Sequence, residues 1–135
     1  MTQIDHLGIA AKSLAEAKQF YEKLGLEVMP EESVEAEKVR VGMLPVGESR
    51  IELLEPTAPD STIAKFLEKR GQGLHHVAMN VTNLAETVER LKASGTRLIN
   101  EEIKIGAGGH RYVFVHPSSA GGVLLELVED AGHSG

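Results

Sequence analysis

Asp5-His6-Leu7-Gly8-Ile9-Ala10 decides how this chain is read, because His75-His76-Val77-Ala78-Met79 answers it 70 residues later. Each stretch sets a histidine in a short apolar run of strand character. Each is followed by the same helix-start signal, Ser13-Leu14-Ala15-Glu16 in the first case and Asn83-Leu84-Ala85-Glu86 in the second. These two signals are also 70 residues apart. Such repetition predicts two copies of one supersecondary unit. A histidine in the same slot of each copy predicts two half-sites facing each other.

Working outward, residues 3–11 form a strand with Ile4, His6 and Gly8 on one face and Leu7 and Ile9 on the other. Ser13 caps a helix and Glu16 completes a capping box. The helix runs to about Leu24 on an apolar stripe of Leu14, Ala17, Phe20, Tyr21 and Leu24, and Gly25 ends it. A short strand is expected over 26–29, a turn over 30–33, a strand over 38–44, a hairpin loop over 45–49 and a strand over 50–55. On that last strand Glu52 shares a face with Arg50 and Leu54. A linker over 57–61 leads to a helix capped by Asp60 or Ser61 and ending near Arg70. The pattern then restarts: strand 74–81, helix 84–94, Gly95, short strand 97–99, strand 111–116, turn 117–122 and strand 123–129. The tail, 131–135, is expected to be disordered. The fold class is therefore α+β, with two tandem βαβββ modules, about 1–56 and 73–130, joined by a helix near 60–70. Together they make one domain over 1–135.

Composition narrows the function. At 135 residues, 41% hydrophobic and 25% charged, the chain suits one soluble globular domain. No apolar run approaches the ~20 residues of a membrane span. A net charge of -6 without a basic cluster argues against nucleic acid as partner. The absence of tryptophan and the 4% aromatic content leave no stacking platform for bases. Cysteine is absent, which excludes disulfides and thiol catalysis. A strand begins almost at the first residue, so no signal peptide is expected and the location is read as cytoplasmic.

The chemistry sits in His6 with Glu52, 46 residues apart, and His76 with Glu126, 50 apart. Glu126 interrupts Val123-Leu124-Leu125-Glu126-Leu127-Val128, a run apolar enough to be buried on both faces. An unpaired carboxylate there costs several kcal/mol or is forced to protonate, and a divalent cation removes that cost. Two imidazoles and two carboxylates suit Co, Ni, Zn, Mn or Fe better than calcium. His75 is set apart by strand alternation, which points it to the opposite face in a structural or supporting role. For His110 and His116 the expectation is turn chemistry, and Lys65, Lys69 and Arg70 read as the solvated face of their helix.

Taken together, Ile4-Asp5-His6-Leu7-Gly8, Glu52-Leu53-Leu54-Glu55-Pro56, Asp60 through Leu67, Gly73 through Ala78 and the long segment from Lys104 to Leu127 resemble the vicinal oxygen chelate superfamily. Within it they resemble the methylmalonyl-CoA epimerases. The resemblance implies a cupped mixed sheet around a metal held by His6, Glu52, His76 and Glu126, with cobalt the first choice among the divalent ions. It implies an acyl-CoA substrate inverted at C2, Glu126 and Glu52 as the acid/base pair, and a homodimer. The Gly-rich stretch with Gly106, Gly108 and Gly109 either holds the substrate carboxylate or is a plain hairpin loop. The chain departs from the pattern in one place: Val39-Arg40-Val41 carries no acid where some epimerases have a second base. Alternatives are glyoxalase I, which shares the metal quartet, and a non-catalytic binding protein of the same fold.

Overall fold

The strand–helix–strand pattern written in the sequence forms twice. In the computed structural model, which describes residues 3–106 and 109–129, the first copy runs β1 (Gln3–Ala10), α1 (Leu14–Lys23), β2 (Glu32–Val34), β3 (Val39–Val46) and β4 (Ser49–Pro56). Helix α2 (Thr62–Arg70) follows. The second copy runs β5 (Gly73–Asn80), α3 (Leu84–Ala93), β6 (Lys104–Ile105), β7 (Arg111–Val115) and β8 (Leu125–Glu129). The expected order, βαβββ twice with a helix between, is what forms. The expectation for the tail lies outside the described residues.

The chain divides into two units, His6–His75 and Met1–Asp5 with His76–Gly135. In the first, the strand order is β2-β3-β4-β1, with β1 parallel to β4 and the rest antiparallel. In the second, the order is β6-β7-β8-β5, with β5 parallel to β8 and the rest antiparallel. The four strands of each unit thus repeat one topology.

Local chemistry explains the helix ends. The Ser13 hydroxyl accepts from the Glu16 N–H at 3.2 Å, the Ser61 hydroxyl from Ala64 N–H at 2.9 Å, and Asn83 Oδ1 from Glu86 N–H at 3.1 Å. Each satisfies a donor that the first helical turn leaves open. Ser61, not Asp60, caps α2. Asp60 instead accepts from the Lys38 ammonium, which holds its carboxyl below the usual carboxylate range. After α1 and α3 the chain turns at Gly25 (φ 86°) and Gly95 (φ 83°), a left-handed conformation that costs glycine little.

Each sheet has an apolar face under its module helix. In the first unit Leu14, Leu44 and Leu53 pack with Ile9, Ala17, Tyr21 and Ile51. In the second, Leu84 and Val88 of α3 pack with Val113, Val115 and Leu127. The other face of the first sheet holds Ala10, Val39, Val41 and Leu54 against Ile63 and Phe66 of α2. Gly42 lets α1 approach closely: a Cβ there would lie 3.0 Å from Leu14 Cδ1.

Four expectations need correction. Residues 26–29 form no strand and make one strand-like bond, Met29 N–H to Met43 O at 2.8 Å. The edge strand is β2, which takes in Glu32 and Ser33 from the expected turn, because Glu32–Val34 pairs antiparallel with β3 through backbone groups. Residues 97–99 contribute a single bridge, Leu98 to Val115, rather than a strand. The α1 stripe is narrower than predicted. Phe20 is 57% and Leu24 61% exposed. Phe20 sits on the helix flank, about 120° round from Leu14, and Leu24 lies past the last turn.

A carboxylate also ties each final strand to the helix of its own unit. Glu55 accepts from the Leu14 N–H at 2.8 Å, and Glu129 accepts from the Leu84 N–H at 2.9 Å. Each negative charge meets the positive end of a helix. Glu129, which is 7% exposed, is also ion-paired with Arg111 across the β7–β8 ladder. Glu129→Gln is expected to lower stability by about 1–2 kcal/mol in urea unfolding. Gly42→Val is expected to cost about 1–3 kcal/mol by overpacking against buried Leu14. Unchanged unfolding midpoints would contradict the clamp and the close approach respectively.

Candidate functional site

Strand register builds the same pair in both units. In the parallel β1–β4 ladder Gly8 lies beside Glu52, and His6 precedes Gly8 on the same face. His6 Nε2 is 3.4 Å from Glu52 Oε1. In the parallel β5–β8 ladder Ala78 lies beside Glu126, and His76 precedes Ala78 on the same face. His76 Nε2 is 3.0 Å from Glu126 Oε1. His6 and Glu52 are 4% and 9% exposed, His76 and Glu126 6% and 9%. The four residues singled out from the sequence are thus brought together as two buried imidazole–carboxylate pairs.

The surroundings of the pairs differ. Arg50 Nη2 lies 3.9 Å from Glu52 Oε2, so the first pair has a cation nearby. Glu126 stands opposite Phe114 in the β7–β8 ladder, and the Phe114 ring meets His76 edge-on, with centroids 5.6 Å apart and planes at 90°. Neither Phe114 nor its neighbour Tyr112 was marked by the sequence. Phenyl rings carry no ligand or acid/base chemistry of their own, although their two-residue spacing on a strand facing Glu126 was a usable signal. On β3, Met43 stands opposite Glu52, and Val41 packs with Leu54. Arg40 is the only charged residue of that strand, so its lack of an acid is plain.

The remaining candidates separate cleanly. His75 meets Phe66 of α2 edge-on at 5.0 Å, which agrees with a structural role. His116 Nδ1 accepts from the Ser118 N–H at 3.0 Å and caps the short 3-10 turn Pro117–Ser119, the turn chemistry expected of it. The Gly-rich turn is closed by Gly106 N–H to His110 O at 2.8 Å and Gly109 N–H to Gly106 O at 3.1 Å. Gly108 lies outside the described residues.

The donor set fits a divalent transition cation. Each pair presents an imidazole nitrogen and a carboxylate oxygen, both buried and within a few ångströms of each other. Nitrogen and oxygen donors of this kind suit cobalt, nickel, zinc, manganese or iron. Burial gives the fit a physical reason, since a carboxylate removed from water must find a positive partner.

Comparison with known proteins agrees with the geometry. The model of the Glyoxalase/Bleomycin resistance protein/Dioxygenase superfamily matches residues 5–114. The mitochondrial methylmalonyl-CoA epimerase of Bos taurus is 40% identical over 127 residues, which is 93% of this chain and 73% of that one. The crystal structure of methylmalonyl-CoA epimerase from Mycobacterium tuberculosis is 40% identical with a TM-score of 0.90, covering 95% of this chain and 87% of that one. A methylmalonyl-CoA epimerase in complex with methylmalonyl-CoA and NH4+ is 37% identical with a TM-score of 0.92, covering 98% of this chain and 96% of that one. A family model matched over most of the chain, and relatives of 37–40% identity that cover 93–98% of it, place it: the chain belongs to the glyoxalase/bleomycin resistance protein/dioxygenase superfamily and, within it, to the methylmalonyl-CoA epimerases.

Proposed function

We propose that the protein interconverts the (R) and (S) forms of methylmalonyl-CoA by proton transfer at C2. The observation that carries this reading is the repetition of a buried imidazole–carboxylate pair on matching strands of the two units. His6, Glu52, His76 and Glu126 would together hold one divalent cation, cobalt being the first choice. When bound, the cation supplies Lewis-acid stabilisation of the negative charge that develops on the substrate oxygens.

The chain's own residues handle the proton. The C2 hydrogen, α to a thioester, is far less acidic than a carboxylic acid, so the base must be held in place and water kept out. Glu126 takes this proton as the C2–H bond breaks and the electron pair moves into the enolate. Glu52 returns a proton to the opposite face of C2 and completes the inversion. The exchange leaves Glu126 protonated and Glu52 ionised, the state that runs the reverse reaction. With no acid on β3, Glu52 is the carboxylate of its unit that stands beside His6. Gly106, Gly108 and Gly109 are proposed to shape the mouth of the pocket that takes the substrate carboxylate, since the N–H groups of Gly106 and Gly109 already close the turn on His110 O and Gly106 O.

The finer expectations are a homodimer and a cytoplasmic location. No helix among the described residues is long and apolar enough to cross a membrane.

Deuterium wash-in at C2 of methylmalonyl-CoA, followed by NMR in heavy water, tests the proposal. Glu126→Gln is expected to slow wash-in by about 10²–10⁴-fold. Glu52→Gln is expected to separate wash-in from inversion, so that one epimer gains deuterium without being inverted. A chelator should abolish exchange, and added Co2+ should restore it. Near-normal wash-in by Glu126→Gln would remove it as the base. Turnover of methylglyoxal with glutathione in place of methylmalonyl-CoA would favour glyoxalase I.

A further inference from the structure

An aromatic ladder joins the Gly-rich turn to the His76–Glu126 pair, all within one unit. Phe114 meets His76 edge-on at 5.6 Å and 90°, and stands directly opposite Glu126 in the β7–β8 ladder. Tyr112, two residues earlier on the same face, meets Phe114 at 5.7 Å and 78°. The Tyr112 ring in turn lies where a side chain at Gly106 would have to go: a Cβ there would be 2.9 Å from Tyr112 Cε1. The backbone of Phe114 is fixed on its other side. Its N–H donates to Asn100 Oδ1 at 2.8 Å, and its carbonyl accepts from Ile99 N–H at 2.8 Å.

We infer that Phe114 is a positioning residue that sets the plane of the His76 imidazole beside Glu126, and that Tyr112 carries the placement of Gly106 to it. An edge-to-face contact fixes both the distance and the relative plane of two rings. The imidazole of a metal-binding histidine must aim its nitrogen within narrow limits, and the groups that orient it govern affinity as well as geometry. Tyr112 is 5% exposed and has little room to shift. A change in the turn at Gly106 therefore reaches His76 through two rings. This role rests on the proposed metal-dependent function.

The test is Co2+ titration of the whole chain without substrate, read by binding affinity and by the visible absorption of the bound ion. Phe114→Leu keeps an apolar residue and removes the ring; it is expected to weaken Co2+ about tenfold and shift the absorption bands. Phe114→Tyr keeps the ring and should match the unaltered protein. Gly106→Ala, which leaves Phe114 in place, should shift the bands in the same direction by a smaller amount. It decides the matter by itself if Phe114→Leu does not fold. Co2+ affinity and bands unchanged in Phe114→Leu, or in Gly106→Ala where that variant decides, would overturn the positioning role alone. Absence of Co2+ binding by the unaltered protein would overturn this role and the metal-dependent function together.

Discussion

A carboxylate that leaves water needs a partner, and this chain buries two of them in the middle of sheets. Glu52 and Glu126 are each 9% exposed, and each faces an imidazole nitrogen on a parallel neighbouring strand. An isolated buried carboxylate costs several kcal/mol, and the facing imidazole offsets part of that cost. The fold accepts this cost at the same position in both units. It does so by one device, a parallel ladder that sets a small residue, Gly8 or Ala78, beside the glutamate. Small residues there leave the space above the strand to the imidazole two positions away.

The final strand of each copy serves two purposes at once. Glu52 and Glu55, and likewise Glu126 and Glu129, are three positions apart, so alternation sends each pair's members to opposite faces. The first glutamate of each pair faces a histidine. The second holds the first turn of the helix packed behind the sheet, Glu55 on Leu14 and Glu129 on Leu84. Strand register, helix position and the donor geometry of a unit are thereby fixed by one short stretch of chain. The two units nevertheless differ around their pairs, with Arg50 near Glu52 and the Phe114 ring beside His76. The two carboxylates thus stand in different surroundings.

Much of this was legible in the sequence because the signals were local and doubled. Ser13 and Asn83, Gly25 and Gly95, and His6 and His76 each recur at one spacing, and each does in the structure what its chemistry dictates. Elements without such signals were misread. Edge strand β2 carries no apolar alternation, since Glu32 and Ser33 are exposed and the strand joins the sheet through its backbone pairing with β3. The stretch 97–99 looked like a strand but pairs at one residue, Leu98. Glu55 and Glu129 were visible as an echo, yet their helix partners lie 41 and 45 residues away, beyond any local pattern. Phe114 was hidden for a similar reason, because its contact with His76 depends on β5 and β7 both flanking β8.

Under the proposed function both pairs serve one cation. Counting the Co2+ ions bound per folded chain by isothermal titration tests it most directly, with His6→Ala and His76→Ala measured beside the unaltered protein. One ion per chain is predicted, with affinity reduced by either substitution. Two ions per chain, each lost with its own histidine, or none at all, would contradict the account.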